Sequence, residues 1–409
     1  MVNRWIRSID WLILLPVLGL LAIGCVALYS SSHSFQSMGH QPNYFSAQLL
    51  WVALGLVGMT ILSLVPPRWI QSLSPHLYVL SVLLLGAVLV IGSTGMGATR
   101  WLKIGPLRLQ PSELAKLATL LALARYLSRP RVDVNRPRDF LLASSLLLLP
   151  FLLVVRQPDL GTALVFAAMA LPVYYWSGLK SGNLFLILFP GLVMLASFNF
   201  YAFLVVMAAL FIYLLASRRS MALISFNFLL NVFIGLLTPV LWNHLKPYQQ
   251  QRIRIFLRPE MDPLGAGYQI IQSKVAIGSG GLWGKGFMQG SQTQLRFLPE
   301  QHTDFIFAVI GEEFGFIGAV LTLLLFALLL LRITQFASQC RNPFFSLVSI
   351  GIGTIFTFHV LVNIGMTLGF LPVTGLPLPF ISYGGSAMLT NLAMIGLLLN
   401  FYRHRFEAG

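Results

Sequence analysis

Acidic side chains are scarce in this chain. Only 12 of its 409 residues are Asp or Glu, and charged residues of both signs make up 10%. A water-soluble domain of this length needs far more charge to cover its surface, so a soluble globular class is excluded. Cysteine is nearly absent too. Cys25 falls in the outer part of the first apolar run and Cys340 in a loop on the inner side, so they cannot pair and a disulfide framework is excluded. No glycine-rich loop followed by Lys-Ser/Thr precedes a helix, so nucleotide-driven transport lacks its signature. The apolar runs do not alternate with polar residues, which excludes a transmembrane β-barrel.

Long apolar runs are what the chain has. Hydrophobic residues make up 57% of it. About 20 such residues in a helix cross a hydrocarbon core of about 30 Å, and backbone in lipid must bond internally. The expected architecture is an all-α polytopic membrane protein. Hydropathy places twelve spans near 11–31, 45–65, 75–92, 112–128, 140–156, 160–177, 184–198, 201–217, 221–242, 305–331, 344–369 and 386–402. No small-x-small cleavage pattern follows the first span, which reads as a retained anchor. There is no repeat, low-complexity tract or soluble domain, so 1–409 reads as one membrane domain.

The net charge of +15 is spread over short loops, which argues for topology and anionic lipid rather than nucleic acid. With the N-terminus inside, Arg4, Arg7, Arg68, the arginines of 125–138, Lys180, Arg218, Arg219, Arg332, Arg341, Arg403 and Arg405 all face the cytoplasm. The short outer loops 32–44, 199–200 and 371–385 hold no Lys or Arg. Both termini are expected in the cytoplasm. Eight of the acids (Glu113, Asp159, Glu260, Asp262, Glu300, Asp304, Glu312, Glu313) then fall on or near the outer side. An ionised carboxylate at bilayer depth costs about 2.5–3.5 kcal/mol on the mildest scale, so this asymmetry locates the chemistry. The long segment 243–304 is expected outside, with 268–277 as a helix along the membrane surface. Its basic residues suit an anion site or plain solvation.

Several residues carry candidate chemistry. Asp262-Pro263 fits a helix N-cap with Pro at N1, yet arginines and glycines surround it. Glu113 and Lys116 share a helix face. They can be a structural ion pair, but Lys116 lies a turn inside the membrane and needs a partner or a wet cavity. Asp159 follows Arg156-Gln157-Pro158, and capping explains the Asp alone. Glu312 and Glu313 fall inside span 305–331, in packing, gating or chemistry. His302 and Asp304 are too few to define a metal site. The Gly- and Pro-rich stretch 371–386 is either a rigid turn or the lining of a cavity.

Read together, these motifs identify the chain as similar to the SEDS family (shape, elongation, division and sporulation). The matches are Gly97-Ala98-Thr99-Arg100-Trp101, Gln110 to Lys116, Gln157 to Thr162, Asp262 to Gln269, Gln272 to Lys274 with Gly278 to Gly286, Leu298 to Phe305, and Pro377 to Gly385. They run in order over nearly the whole length. Gln289 to Gln294 tilts the match toward the rod-shape branch over the division-specific one.

The resemblance implies a peptidoglycan glycosyltransferase at the outer face of a bacterial inner membrane. Such enzymes polymerise lipid II into undecaprenyl-linked glycan, with inversion at the anomeric carbon. It implies Asp262 as the catalytic residue. Arg100, Trp101, Glu113, Lys116, Asp159, Lys274, Glu300 and His302 would contact substrate. A divalent cation, Mg or Mn, is the expected cofactor, with no organic one. A class B penicillin-binding protein and the elongation machinery are the expected partners. The family has ten core spans, so the pair within 184–217 reads as an inserted hairpin, and 243–304 as the catalytic loop. A lipid II flippase or a non-enzymatic scaffold for a penicillin-binding protein are the alternatives.

Overall fold

The computed structural model describes residues 10–36, 44–95, 98–104, 107–217, 220–244, 250–251, 254–255 and 266–406. Asp262 and Glu260 lie outside them, as do Lys246, Arg252 and Arg258.

Helices dominate. The first half runs α1 (Trp11–Gln36), α2 (Tyr44–Leu64), α3 (Pro67–Ile91), α4 (Pro111–Leu127), α5 (Pro137–Arg156) and α6 (Leu160–Trp176). Then follow α7 (Ser181–Ala196), α8 (Phe200–Ala216) and α9 (Met221–His244). The last part holds α10 (Ala266–Gly280), α11 (Ser291–Gln294), α12 (Ile306–Glu313), α13 (Gly315–Gln339), α14 (Pro343–Thr367) and α15 (Gly385–Arg403). Proline opens α3, α4, α5 and α14, where its missing N–H costs nothing. Asn199 and Asn342 cap α8 and α14 by accepting first-turn amides.

Among the described residues, eight helices are long and apolar enough to cross a membrane: α1, α2, α3, α5, α9, α13, α14 and α15. The chain is a multi-pass membrane protein. The other expected spans α4, α6, α7 and α8 have 16–17 residues. At 1.5 Å per residue they reach roughly 25 Å, short of the hydrocarbon thickness. Burial explains why α4 needs little apolar character. It packs against α3, α5, α6, α14 and α15 and presents almost no side chain to lipid.

Between α3 and α4, where the sequence offers no span, a three-stranded antiparallel sheet forms from β1 (Ser93–Gly95), β2 (Ala98–Ile104) and β3 (Leu107–Leu109). Its register pairs Thr94 with Thr99 and Leu102 with Leu109, and it lies over α3, α4 and α15. One expectation is corrected: the run 305–331 is not one span. The chain breaks at Phe314–Gly315, with Gly315 in the left-handed region (φ 64°), so Glu312 and Glu313 end the short helix α12 instead of sitting inside α13.

The main core gathers side chains from α1, α4, α6, α12, α13, α14 and α15. A second, separate core joins α7, α8 and α9 through Leu186, Phe189, Val193, Met207, Leu210, Leu214 and Ile224. At one end of the bundle Asp10 caps α1 and accepts from Arg332 Nε at 2.8 Å, joining α1 to α13. The sheet, Asp159 and the stretch 371–384 gather at the opposite end.

A buried polar column at one end of the bundle

Lys116 and Glu113 sit on the first turns of α4, both buried. Their spacing of three places the two heads on one face, with Lys116 Nζ 2.9 Å from Glu113 Oε1. The ammonium also meets His359 Nε2 of α14 at 3.0 Å. His359 Nδ1 lies 3.0 Å from the carbonyl of Pro377. The lysine predicted to need a partner therefore has two.

Asp159 caps α6, accepting from Thr162 N at 3.2 Å and Thr162 Oγ1 at 3.0 Å. Capping is half of its role. Its Oδ2 also accepts from Gln110 Nε2 at 3.4 Å and faces Arg100 Nε of β2 at 3.6 Å. Arg100 donates to the Pro158 carbonyl at 3.0 Å, so the sheet is tied to the α5–α6 turn. Gln110 links this cluster to the lysine pair, because its carbonyl accepts from Glu113 N at 3.1 Å. Its own N–H donates to Ser386 Oγ at 3.0 Å, reaching α15.

The stretch 371–384 dips between helices instead of capping them. Gly24 on α1 permits this, since a Cβ there would stand 2.7 Å from Ile381 Cα. Gly161 on α6 does the same, with a Cβ position 2.6 Å from the Thr374 carbonyl. Side chains satisfy the irregular backbone, as burial requires. Asn363 donates to the carbonyls of Asp304 (3.0 Å) and Leu376 (2.8 Å). Ser382 Oγ donates to the Thr303 carbonyl at 2.6 Å, and Gln48 donates to the Ser382 carbonyl at 3.2 Å. Phe380 is held buried at φ 65°, a conformation a non-glycine residue keeps only when its surroundings impose it.

The other predicted contacts fall into separate groups. His302 stacks on Tyr44 with centroids 4.2 Å apart, and its carbonyl accepts from Tyr383 N at 2.9 Å. Burial holds the His302 imidazole below its usual pKa, and the charge of nearby Glu300 only partly opposes this. Burial also raises the Tyr383 phenol, with Tyr44 adding to the shift. Glu300, at φ 52°, accepts from Thr303 Oγ1 at 3.1 Å. Trp101 pairs across the sheet with Ser93. Lys274 is exposed on α10 and lies along Gly369 at the end of α14. On α10, Ile270, Ser273 and Ala276 face inward, and Ser273 donates to the Thr367 carbonyl at 2.8 Å. Thus Arg100 meets Asp159 and Glu113 meets Lys116, while Lys274, Glu300 and His302 stand at other points around the same end.

Sequence reasoning passed over His359, Asn363 and Gln48. Two of them carried a readable signal. His359 and Asn363 are four apart in an apolar span, hence on one helix face, and polar groups in spans rarely lack a task. Among the described residues no three His, Cys, Asp or Glu side chains cluster as metal ligands do. Glu113, Asp159 and Glu312 each face a cation of the protein itself. These three carboxylates are therefore charge-balanced by the protein itself.

The model of the cell cycle protein family that unites FtsW, RodA and SpoVE matches residues 10–207 and 183–407. The chain belongs to this family. The two matched stretches overlap across α7 and the start of α8. The chain is 39% identical over 400 residues to the peptidoglycan glycosyltransferase MrdB of Escherichia coli K12, covering 97% of this chain and 94% of that one. It is 34% identical over 437 residues to the peptidoglycan glycosyltransferase RodA of Treponema pallidum, covering 97% and 98%. A solved structure described as the structural coordination of polymerization and crosslinking by a peptidoglycan synthase complex superposes with a TM-score of 0.75. Identity there is 36%, and coverage is 98% of this chain and 99% of that one.

Proposed function

We propose that this protein is a peptidoglycan glycosyltransferase that polymerises lipid II at the outer face of the bacterial inner membrane during elongation. The observation that carries the reading is the charge-balanced polar column. Arg100–Asp159 and Lys116–Glu113 are joined through Gln110 inside a bundle that otherwise buries few charges. The names of the relatives supply the chemistry. Of the column, Arg100 is the half-buried member and would reach a headgroup while the acyl chain stays in lipid.

In this proposal Asp262 is the general base. It takes the proton of the acceptor sugar's 4-hydroxyl as that oxygen attacks the donor's anomeric carbon. The new C–O bond forms on the face opposite the departing phosphate oxygen, so the configuration inverts. The broken bond's electron pair leaves with undecaprenyl pyrophosphate. Arg100, Lys274 and the other cations around this end would offset the charge that develops there. Glu113, Lys116 and Asp159 would orient the segments carrying these groups. Trp101, Glu300 and His302 would contact the disaccharide-peptide. A divalent ion, Mg or Mn, is placed in this proposal on the substrate's pyrophosphate, because Glu113, Asp159 and Glu312 already face the protein's own cations.

A class B penicillin-binding protein is the proposed partner, crosslinking the glycan as it emerges. Both termini are proposed to lie in the cytoplasm, which the absence of Lys and Arg from 32–44, 199–200 and 371–385 supports. The test is glycan synthesis by the purified full-length protein with its cognate penicillin-binding protein, given lipid II and Mg ions. Polymer is expected from wild type, and at least about 100-fold less from a folded Asp262→Asn protein. Lipid II crossing a vesicle bilayer without polymer would replace this reading by a flippase. Polymer only from the partner would leave a scaffold.

A further inference from the structure

His359 holds two groups from different parts of the chain. Its Nε2 meets Lys116 Nζ at 3.0 Å and its Nδ1 meets the Pro377 carbonyl at 3.0 Å. An ammonium can only donate and a carbonyl can only accept. Both contacts form together in one tautomer: Nδ1 carries the hydrogen and donates to Pro377, and Nε2 accepts from Lys116. Lys116 is committed as a donor, because Glu113 Oε1 lies 2.9 Å away. The line Glu113–Lys116–His359–Pro377 therefore runs from the buried helix α4, through α14, into the irregular stretch 371–384. All three side chains are buried. In a low-dielectric interior, a break at one link leaves a polar group unsatisfied at the next.

We propose that His359 is a positioning residue that transmits the geometry of the Lys116–Glu113 pair to the stretch 371–384, and thereby to the substrate site. The function part of this inference rests on the polymerase reading; the transmission part does not. A structural packing role for His359 would act alone. A transmitting role makes Lys116 control a segment it does not touch.

The experiment uses the full-length protein in lipid nanodiscs. Amide hydrogen exchange is followed in the peptide covering 376–384, whose amides of Ile381, Ser382 and Tyr383 are bonded. Polymer formed from lipid II is measured on the same preparations. The variants are Lys116→Met, His359→Asn and the double. Asn keeps a donor near the Nδ1 position and loses the acceptor for Lys116. Each single change is expected to speed exchange about fivefold or more, and the double to match the worse single, because both cut one line. Polymerisation at saturating lipid II falls about tenfold or more in each, with the half-saturating concentration little changed. His359→Gln keeps an acceptor toward Lys116 but loses the donor to the Pro377 carbonyl, so it cuts the line at its other link and speeds exchange as His359→Asn does. If Lys116→Met fails to fold because Glu113 is left alone, Glu113→Gln/Lys116→Met replaces it. Exchange at the wild-type rate in His359→Asn or in the lysine variant overturns the proposal, as do effects that multiply in the double. A wild type that stays inactive with its cognate penicillin-binding protein added, yet still shows the exchange pattern, sinks the polymerase reading and upholds the transmission.

Discussion

Lys285 Nζ stands 2.8 Å from Glu312 Oε1, and the glutamate is fully buried. The same carboxylate accepts from Gln292 N at 2.8 Å, Thr293 N at 3.0 Å and Thr293 Oγ1 at 2.8 Å. It thereby caps α11 from across the fold and clasps 285–294 to the end of α12. Glu313 next to it accepts from Ser30 Oγ on α1.

Glu312→Ala leaves two backbone N–H groups without their acceptor and leaves the Lys285 ammonium, still bonded to Ser291 Oγ at 2.6 Å, without its counter-charge. The expected loss is about 3 kcal/mol, read as a fall in apparent melting temperature in detergent. Glu312→Gln keeps one acceptor oxygen and loses less. Lys285→Met is milder again, since the amides still hold the carboxylate. An unchanged melting temperature in Glu312→Ala would show that this clasp carries no stability.

Asp159 separates capping from function. Asn is as good an N-cap as Asp. Asp159→Asn therefore keeps the melting temperature within the error of measurement but removes the charge facing Arg100. Polymerisation is expected to fall about tenfold. Asp159→Ala loses the cap as well, about 1 kcal/mol. Full activity in the asparagine variant would reduce Asp159 to a capping residue.

His302 gives a pH dependence with a definite sign. Its folded-state pKa is lowered from 6.5, chiefly by burial against Tyr44 and Tyr383. The unfolded chain binds the proton first as pH falls. The stability is full above pH 6.5 and is lost as pH falls through the lower folded value. His302→Phe keeps a ring to stack on Tyr44 and removes the titration. Melting temperatures taken between pH 7 and pH 5 should drop more for wild type than for His302→Phe, after allowing for effects both share. Parallel curves would refute it.

The helices α7 and α8 have their own core with α9. Deleting the expected insertion 184–217, with Asn183 rejoined to a short linker before Ser220, therefore strips α9 of the helices it packs on. Polymerisation by the shortened protein is expected to fall about tenfold or more, because α9 leads into the segment that carries Asp262, and activity within about threefold of wild type would show that the hairpin is dispensable. Loss of folding would make the hairpin part of the core architecture.

The helical membrane class was legible because hydropathy is a local property of consecutive residues. Most of the column was legible as residue types. Glu113 and Lys116 three apart, and Asp159 after Pro158, advertise a shared face and a cap. The break at Gly315 was not, because the apolar run continues through it while the backbone turns. The sheet at 93–109 was missed for a related reason. Short strands hold through pairing with each other and packing on α3, α4 and α15, which no local pattern displays.

By itself the sequence determined that the chain crosses a membrane as helices, where its few acids concentrate, and which family its motifs resemble. These depend on composition and on spacings of a few residues. Only the tertiary structure decided which partner each buried polar group took. Lys116 and His359 are 243 positions apart, and Asn363 reaches a carbonyl 59 positions away. A buried donor or acceptor must be satisfied by whatever packing brings within about 3 Å, and packing belongs to the whole chain.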